Sequence, residues 1–179
     1  IDYETYIRDR VYFERTYLLP NNRLSTYENV VNRGIYNFSD NKIHHVLIEI
    51  RDVHNNLSTL SFPVRSEGPV KAVPSDIEAT DQIVMPYNRA NRFRAGNIAV
   101  SIPAGALYDT LMFSYKKEPP ASGMFSELHH VHNKYTPLQR SYSLSIKPVT
   151  VPAKKEAKLL IIMLRDDGSR VPLSGKMAD

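Results

Sequence analysis

A chain of 179 residues with 42% apolar side chains can bury a core, either as one large domain or as two small ones, and is globular and not disordered. Its 23 Lys and Arg against 19 Asp and Glu leave a net charge of +4, but the two signs interleave along most of the chain; a nucleic-acid footprint needs a clustered basic stripe, so none is expected. With no cysteine there are no disulfides or thiolate metal sites, and the longest apolar run, Leu159 to Leu164, is far short of the roughly 20 residues of a membrane-spanning helix.

Tyr3 and Ile7 stand four apart behind a capping Asp2, which predicts one or two helical turns. From Val11 through Phe13 to Leu19, large residues alternate with Glu14 and Thr16. This reads as a strand ended by the turn Pro20-Asn21-Asn22. Ser25-Thr26-Tyr27-Glu28 has the capping-box pattern, so a short helix is expected through Val30 and Val31 to a stop at Gly34. Val46, Ile48 and Ile50 alternate with His45, Leu47, Glu49 and Arg51. Asp52 to Asn56 turns the chain, and Leu60, Phe62 and Val64 alternate on the return, which predicts a β-hairpin.

Ser66-Glu67-Gly68-Pro69 breaks both helix and strand and is taken as a linker, dividing the chain into modules 1–66 and 67–179. In the second module Ile98-Val100-Ile102, Leu111-Phe113-Tyr115 and Tyr142-Leu144-Ile146 each alternate as half-buried strands. Pro119 to Gly123 is an exposed loop, and Asp166-Asp167-Gly168 is a hairpin turn. Leu159 to Leu164, apolar on both parities, is expected to be a central strand covered on both faces. The expected fold is mainly β: two antiparallel β-sandwich modules of immunoglobulin-like type with one or two short helices. A sandwich takes about 100 residues, so the first module is read as truncated on its N-terminal side. The opening Ile1-Asp2-Tyr3, with neither Met nor leader, is read as the start of an internal fragment.

His129, His130 and His132 are the sharpest chemical feature. On a strand His130 and His132 share a face at a spacing that suits two zinc ligands, but zinc needs further partners, and Glu127 is merely nearby. His44, His45 and His54 fall in the other module, and His44 and His45, as neighbours on a strand, point apart. Neither a nucleophile elbow nor a glycine-rich phosphate loop occurs. No catalytic, cofactor or metal residue is therefore assigned, and a small zinc-dependent hydrolase centred on His130 and His132 is the weakest of three readings. Six of the 11 tyrosines (Tyr3, Tyr6, Tyr12, Tyr17, Tyr27, Tyr36) lie in the first 36 residues. They are expected to fill the core and the contact between modules, or else to form an exposed patch that binds glycan or peptide together with the loop from Lys116 to Gly123.

Two resemblances sharpen these expectations. Ile1-Asp2-Tyr3-Glu4, Thr16 to Ser25, Asn32 to Phe38, the turn Arg51 to Asn56, Ile102 to Asp109, His129 to Asn133 and Tyr142 to Pro148 together resemble the region after the peptidase domain in envelope proteins of Bacteroidetes-type bacteria. Those parents are similar to lysostaphin-type (LytM-like) zinc metallopeptidases that cut peptidoglycan cross-links. Ile102-Pro103-Ala104-Gly105-Ala106-Leu107 by itself is also similar to the ZU-type β-sandwich of ankyrins and netrin receptors. Such peptidases hold zinc through H-x-x-x-D and H-x-H. No His here is followed four residues later by Asp, so the resemblance implies a non-catalytic accessory segment, with zinc confined to the parent's peptidase domain. It implies as partners that upstream domain and peptidoglycan or an envelope protein, at a periplasmic or outer-membrane location. The other reading is a stand-alone glycan- or peptide-binding module.

Overall fold

The hairpin of the first half forms as its alternation predicts. In the computed structural model, which describes residues 2–66, 68, 82–151 and 158–173, β1 (His44–Arg51) pairs antiparallel with β2 (Leu57–Val64), and Val46 faces Phe62 while Ile48 faces Leu60. The turn is built by Asp52, whose carboxylate accepts from the backbone N–H of His54 and Asn56 and from Asn56 Nδ2 at 2.9, 2.9 and 2.7 Å. Asn55 takes the left-handed conformation that such turns need, and asparagine tolerates it.

The chain is mainly β, and every strand pairing among the described residues is antiparallel. It divides into two compact units: Ile1–Arg15, Leu19–Arg23 and Ala79–Asp179 form one, and Thr16–Leu18 with Leu24–Glu78 the other. Of the expected linker, Glu67 and Pro69 lie outside the described residues.

The larger unit opens with α1 (Tyr3–Asp9). Asp2 caps it by accepting from Thr5 N–H at 3.0 Å and pairs with Arg15. Among the described residues its strands are β3 (Ile83–Met85), β4 (Asn91–Ala95), β5 (Ile98–Ile102), β6 (Leu111–Phe113), β7 (Tyr115–Glu118), β8 (Leu128–Val131), β9 (Ser143–Ile146), β10 (Ile161–Leu164) and β11 (Arg170–Leu173). A three-stranded sheet β4-β5-β9 and a two-stranded sheet β3-β6 share one core, Met85, Ile98, Val100, Ile102, Ala106, Leu107 and Phe113, all at most 5% exposed. Alternation on β5 delivers three of these residues to one face. Buried Asn91 holds the chain between β3 and β4, its Nδ2 donating to the carbonyls of Pro86 and Arg89 at 2.9 and 3.1 Å. The turn at Asn21 is fastened to the chain after β5: Asn21 Nδ2 donates to Leu107 O at 2.6 Å, and Gln139 Nε2 donates to Asn21 O at 2.7 Å.

Four expectations are corrected. Val11 to Leu19 is irregular, because single backbone bonds such as Leu18 N–H to Arg33 O at 2.8 Å hold it and no neighbouring strand offers a ladder. Ser25 to Gly34 is not a helix. Asn29, Asn32 and Arg33 are left-handed, and only a 3₁₀ turn forms at Asn32–Gly34. With Val30 and Val31 exposed, no buried face offsets the cost of helix nucleation. Gly34 is needed there: its φ is +76°, and a Cβ would run into the carbonyl oxygen of Thr16. The run from Leu159 is not a covered central strand either, since among the described residues β10 pairs with β11 alone and Leu160 is 62% exposed. Finally, the strand expected through Leu111, Phe113 and Tyr115 changes partner at Ser114, β6 pairing with β3 and β7 with β8.

Candidate functional site

The β7-β8 hairpin carries the histidines, and its register decides what they do. Lys117 faces His129, Lys116 faces His130 and Tyr115 faces Val131. His129 lies on the same face as Tyr115, whose hydroxyl is 2.9 Å from His129 Nδ1 with the rings stacked. His129 Nε2 is buried without a protein partner among the described residues. Burial pushes its imidazole below the ordinary histidine range, against the raising effect of Glu127, and pushes the Tyr115 hydroxyl up. His130 is exposed on the other face, 3.3 Å from Glu118.

His132 does not share a face with His130. β8 ends at Val131, and His132 adopts a left-handed backbone, φ +52°, which swings it out of the strand's alternation. Its ring stacks near Phe113, with centroids 5.9 Å apart, and both ring nitrogens are occupied. Asn133 Oδ1 accepts from Tyr135 N–H at 2.8 Å, which fixes the amide so that Nδ2 donates to His132 Nε2 at 3.1 Å. On the other side of the ring the Ser114 backbone N–H and Oγ lie 3.4 and 3.3 Å from Nδ1, and Thr136 Oγ1 lies 3.0 Å from Nε2. Burial lowers the His132 pKa, opposed by Glu4. Among the described residues no three His, Cys, Asp or Glu side chains are gathered for a metal.

In the smaller unit His44 bonds Asp40 Oδ1 at 2.7 Å and packs edge-on against Phe38, while His45 faces the opposite way on β1. The tyrosines do not fill the core as expected. Tyr3, Tyr6 and Tyr12 belong to the larger unit and Tyr17, Tyr27 and Tyr36 to the smaller. Tyr12 and Tyr36 are 74% and 71% exposed, and the core is aliphatic apart from Phe113. Near the Lys116–Gly123 loop Lys116 pairs with Glu118 and Lys117 with Glu127, at 2.8 and 2.9 Å.

What the sequence did not announce is a pocket of about 240 Å³ beside His132. Val100 and Ile102 of β5 and Leu111 and Phe113 of β6 line it, with His132 and Lys134 among its polar members. Alternation placed those four apolar residues on inward faces. The left-handed backbone at His132 is what brings polar groups to them, and it has no periodic signature.

Among the described residues no helix is long and apolar enough to cross a membrane. No curated protein and no solved structure matches the chain. Residues 82–179, more than half of the chain and including the β3-to-β11 region and this pocket, match the Zu5-like domain, so the chain belongs to the Zu5-like domain family.

Proposed function

We propose that this chain is a non-catalytic accessory segment of an envelope peptidoglycan metallopeptidase, docking the enzyme on its substrate or on an envelope partner. The observation that carries the docking role is the β1-β2 hairpin. Its one face presents Val46, Ile48 and Ile50 beside Leu60 and Phe62, and Ile50 and Leu60 are 65% and 58% exposed. Two strands with a bare apolar face are marginal alone and gain stability when covered. The peptidase context rests on the resemblance of Thr16–Ser25, Asn32–Phe38, Arg51–Asn56 and His129–Asn133 to post-peptidase regions. In this reading zinc belongs to the parent's catalytic domain, and the location is periplasmic or at the outer membrane.

The test is sedimentation with insoluble peptidoglycan. The chain is expected to pellet with it and to release no soluble fragments, with or without added Zn²⁺, and the double variant Leu60→Ser with Phe62→Ser is expected to stay in solution. Zinc-dependent release of fragments, or pelleting unaffected by the double variant, would overturn the proposal. A second reading, a module that binds a small ligand or peptide, is favoured by the pocket beside His132.

A further inference from the structure

We propose that the pocket beside His132 binds a small apolar carboxylate: a group of about one ring, joined to its carboxylate by a short arm. The apolar part is set by the walls. Val100 and Ile102 face Leu111 and Phe113 across the space between the two sheets, and these side chains have no polar atom to offer. An apolar cavity of about 150 Å³ holds a benzene. At about 240 Å³ the pocket has room for a ring with two or three further carbons, below the roughly 300 Å³ at which drug-sized sites begin.

The charge preference is set by the rim. The lining contains one cation, Lys134, and no carboxylate. Lys134 pairs with Asp166, but the two side chains are 57% and 84% exposed, and so open a pair contributes little. A ligand carboxylate can replace Asp166 at small cost, exchanging one charge-assisted hydrogen bond to Lys134 for another. The backbone is consistent with a built site. His132 is a non-glycine residue in the left-handed region, held there by Ser114, Thr136 and Asn133, and such strained residues cluster where ligands are clamped.

The same chemistry comes from two sources, a free arylalkanoate or the carboxyl terminus of a peptide ending in a large apolar residue. The experiment titrates the full chain with 3-phenylpropionate, 3-phenylpropanamide, and acetyl-Gly-Gly-Phe as acid and as amide, following the methyl resonances of Val100, Ile102, Leu111, Val131 and Leu138. Saturable shifts at these methyls are expected, with each acid binding more tightly than its amide. Lys134→Gln, an exposed substitution that leaves the fold intact, is expected to weaken the acids about tenfold and to leave the amides unchanged. Val131→Phe is expected to fill the pocket and abolish all binding. Tighter binding by the peptide acid identifies a chain end as the source, and tighter binding by phenylpropionate identifies a free acid. The proposal is overturned if the methyls show no saturable shift, or if acid and amide bind the unmodified chain equally.

Discussion

Among the described residues, the longest regular ladder and the best core are in different places. β1 and β2 pair over eight residues each without interruption, yet Leu57, Leu60, Ile50 and Phe62 are all exposed. In the larger unit β3 and β6 pair over only three residues each, and they bury Met85 and Phe113 almost completely. Backbone pairing and burial are separate achievements. The first needs alternation and a turn, while the second needs an opposing layer that contributes apolar side chains from distant parts of the sequence.

The largest effect that separates the two regions is a core truncation. Phe113→Ala removes a fully buried ring that packs on Phe93 with centroids 5.1 Å apart, and is expected to cost about 3–5 kcal/mol in urea unfolding. Phe62→Ala, at 38% exposure on the hairpin, is expected to cost about 1 kcal/mol. Equal losses would mean that the hairpin face is covered in solution, and the contrast would collapse.

Much of this organisation was legible. Alternation located the hairpin, β5, β9 and the inward faces of β6, and the Asp2 cap and the Asp52 and Gly168 turns follow from local chemistry that acts within five residues. What failed had no local cause. Val11 to Leu19 has strand composition without a neighbour to pair with, and Ser25 to Gly34 has a capping box without a surface to bury it. The likeness of Ile102–Leu107 to ZU-type sandwiches lies within the matched residues 82–179. The pairing of His130 with His132 was misread because a single left-handed residue undoes the two-residue period.

Next in size is a polar contrast. Asn91 is 8% exposed, and Asn91→Leu leaves the carbonyls of Pro86 and Arg89 without their donor, an expected loss of about 2 kcal/mol. Asp52→Ala in the exposed hairpin turn loses three hydrogen bonds against the two of Asn91, but water replaces them, so its measured loss is expected to be clearly smaller. Asp2→Ala removes the cap of α1 and is expected to cost about 1 kcal/mol by thermal unfolding. Asp2 has its pKa lowered, burial opposing while the Thr5 hydrogen bonds and Arg15 prevail, so its contribution is lost only as pH falls below about 3.8.

That acid limit isolates the smallest effect, which comes from His129 in β8 and His132 just beyond it. His129 and His132 both have folded-state pKa values below the ordinary 6.5, through burial. As pH falls through 6.5 the unfolded chain takes up protons that the folded chain refuses, so stability is complete above about 6.5 and declines below it, levelling off once the folded-state pKa values are passed. Between pH 7 and 5 Asp2 stays ionised and does not contribute to the slope. Urea midpoints followed by resonances of β7-β8 are therefore expected to fall across this range, and His129→Gln with His132→Gln is expected to flatten the decline. A slope that survives both substitutions would place the titrating group elsewhere and would remove the argument that burial lowers the pKa of these two imidazoles.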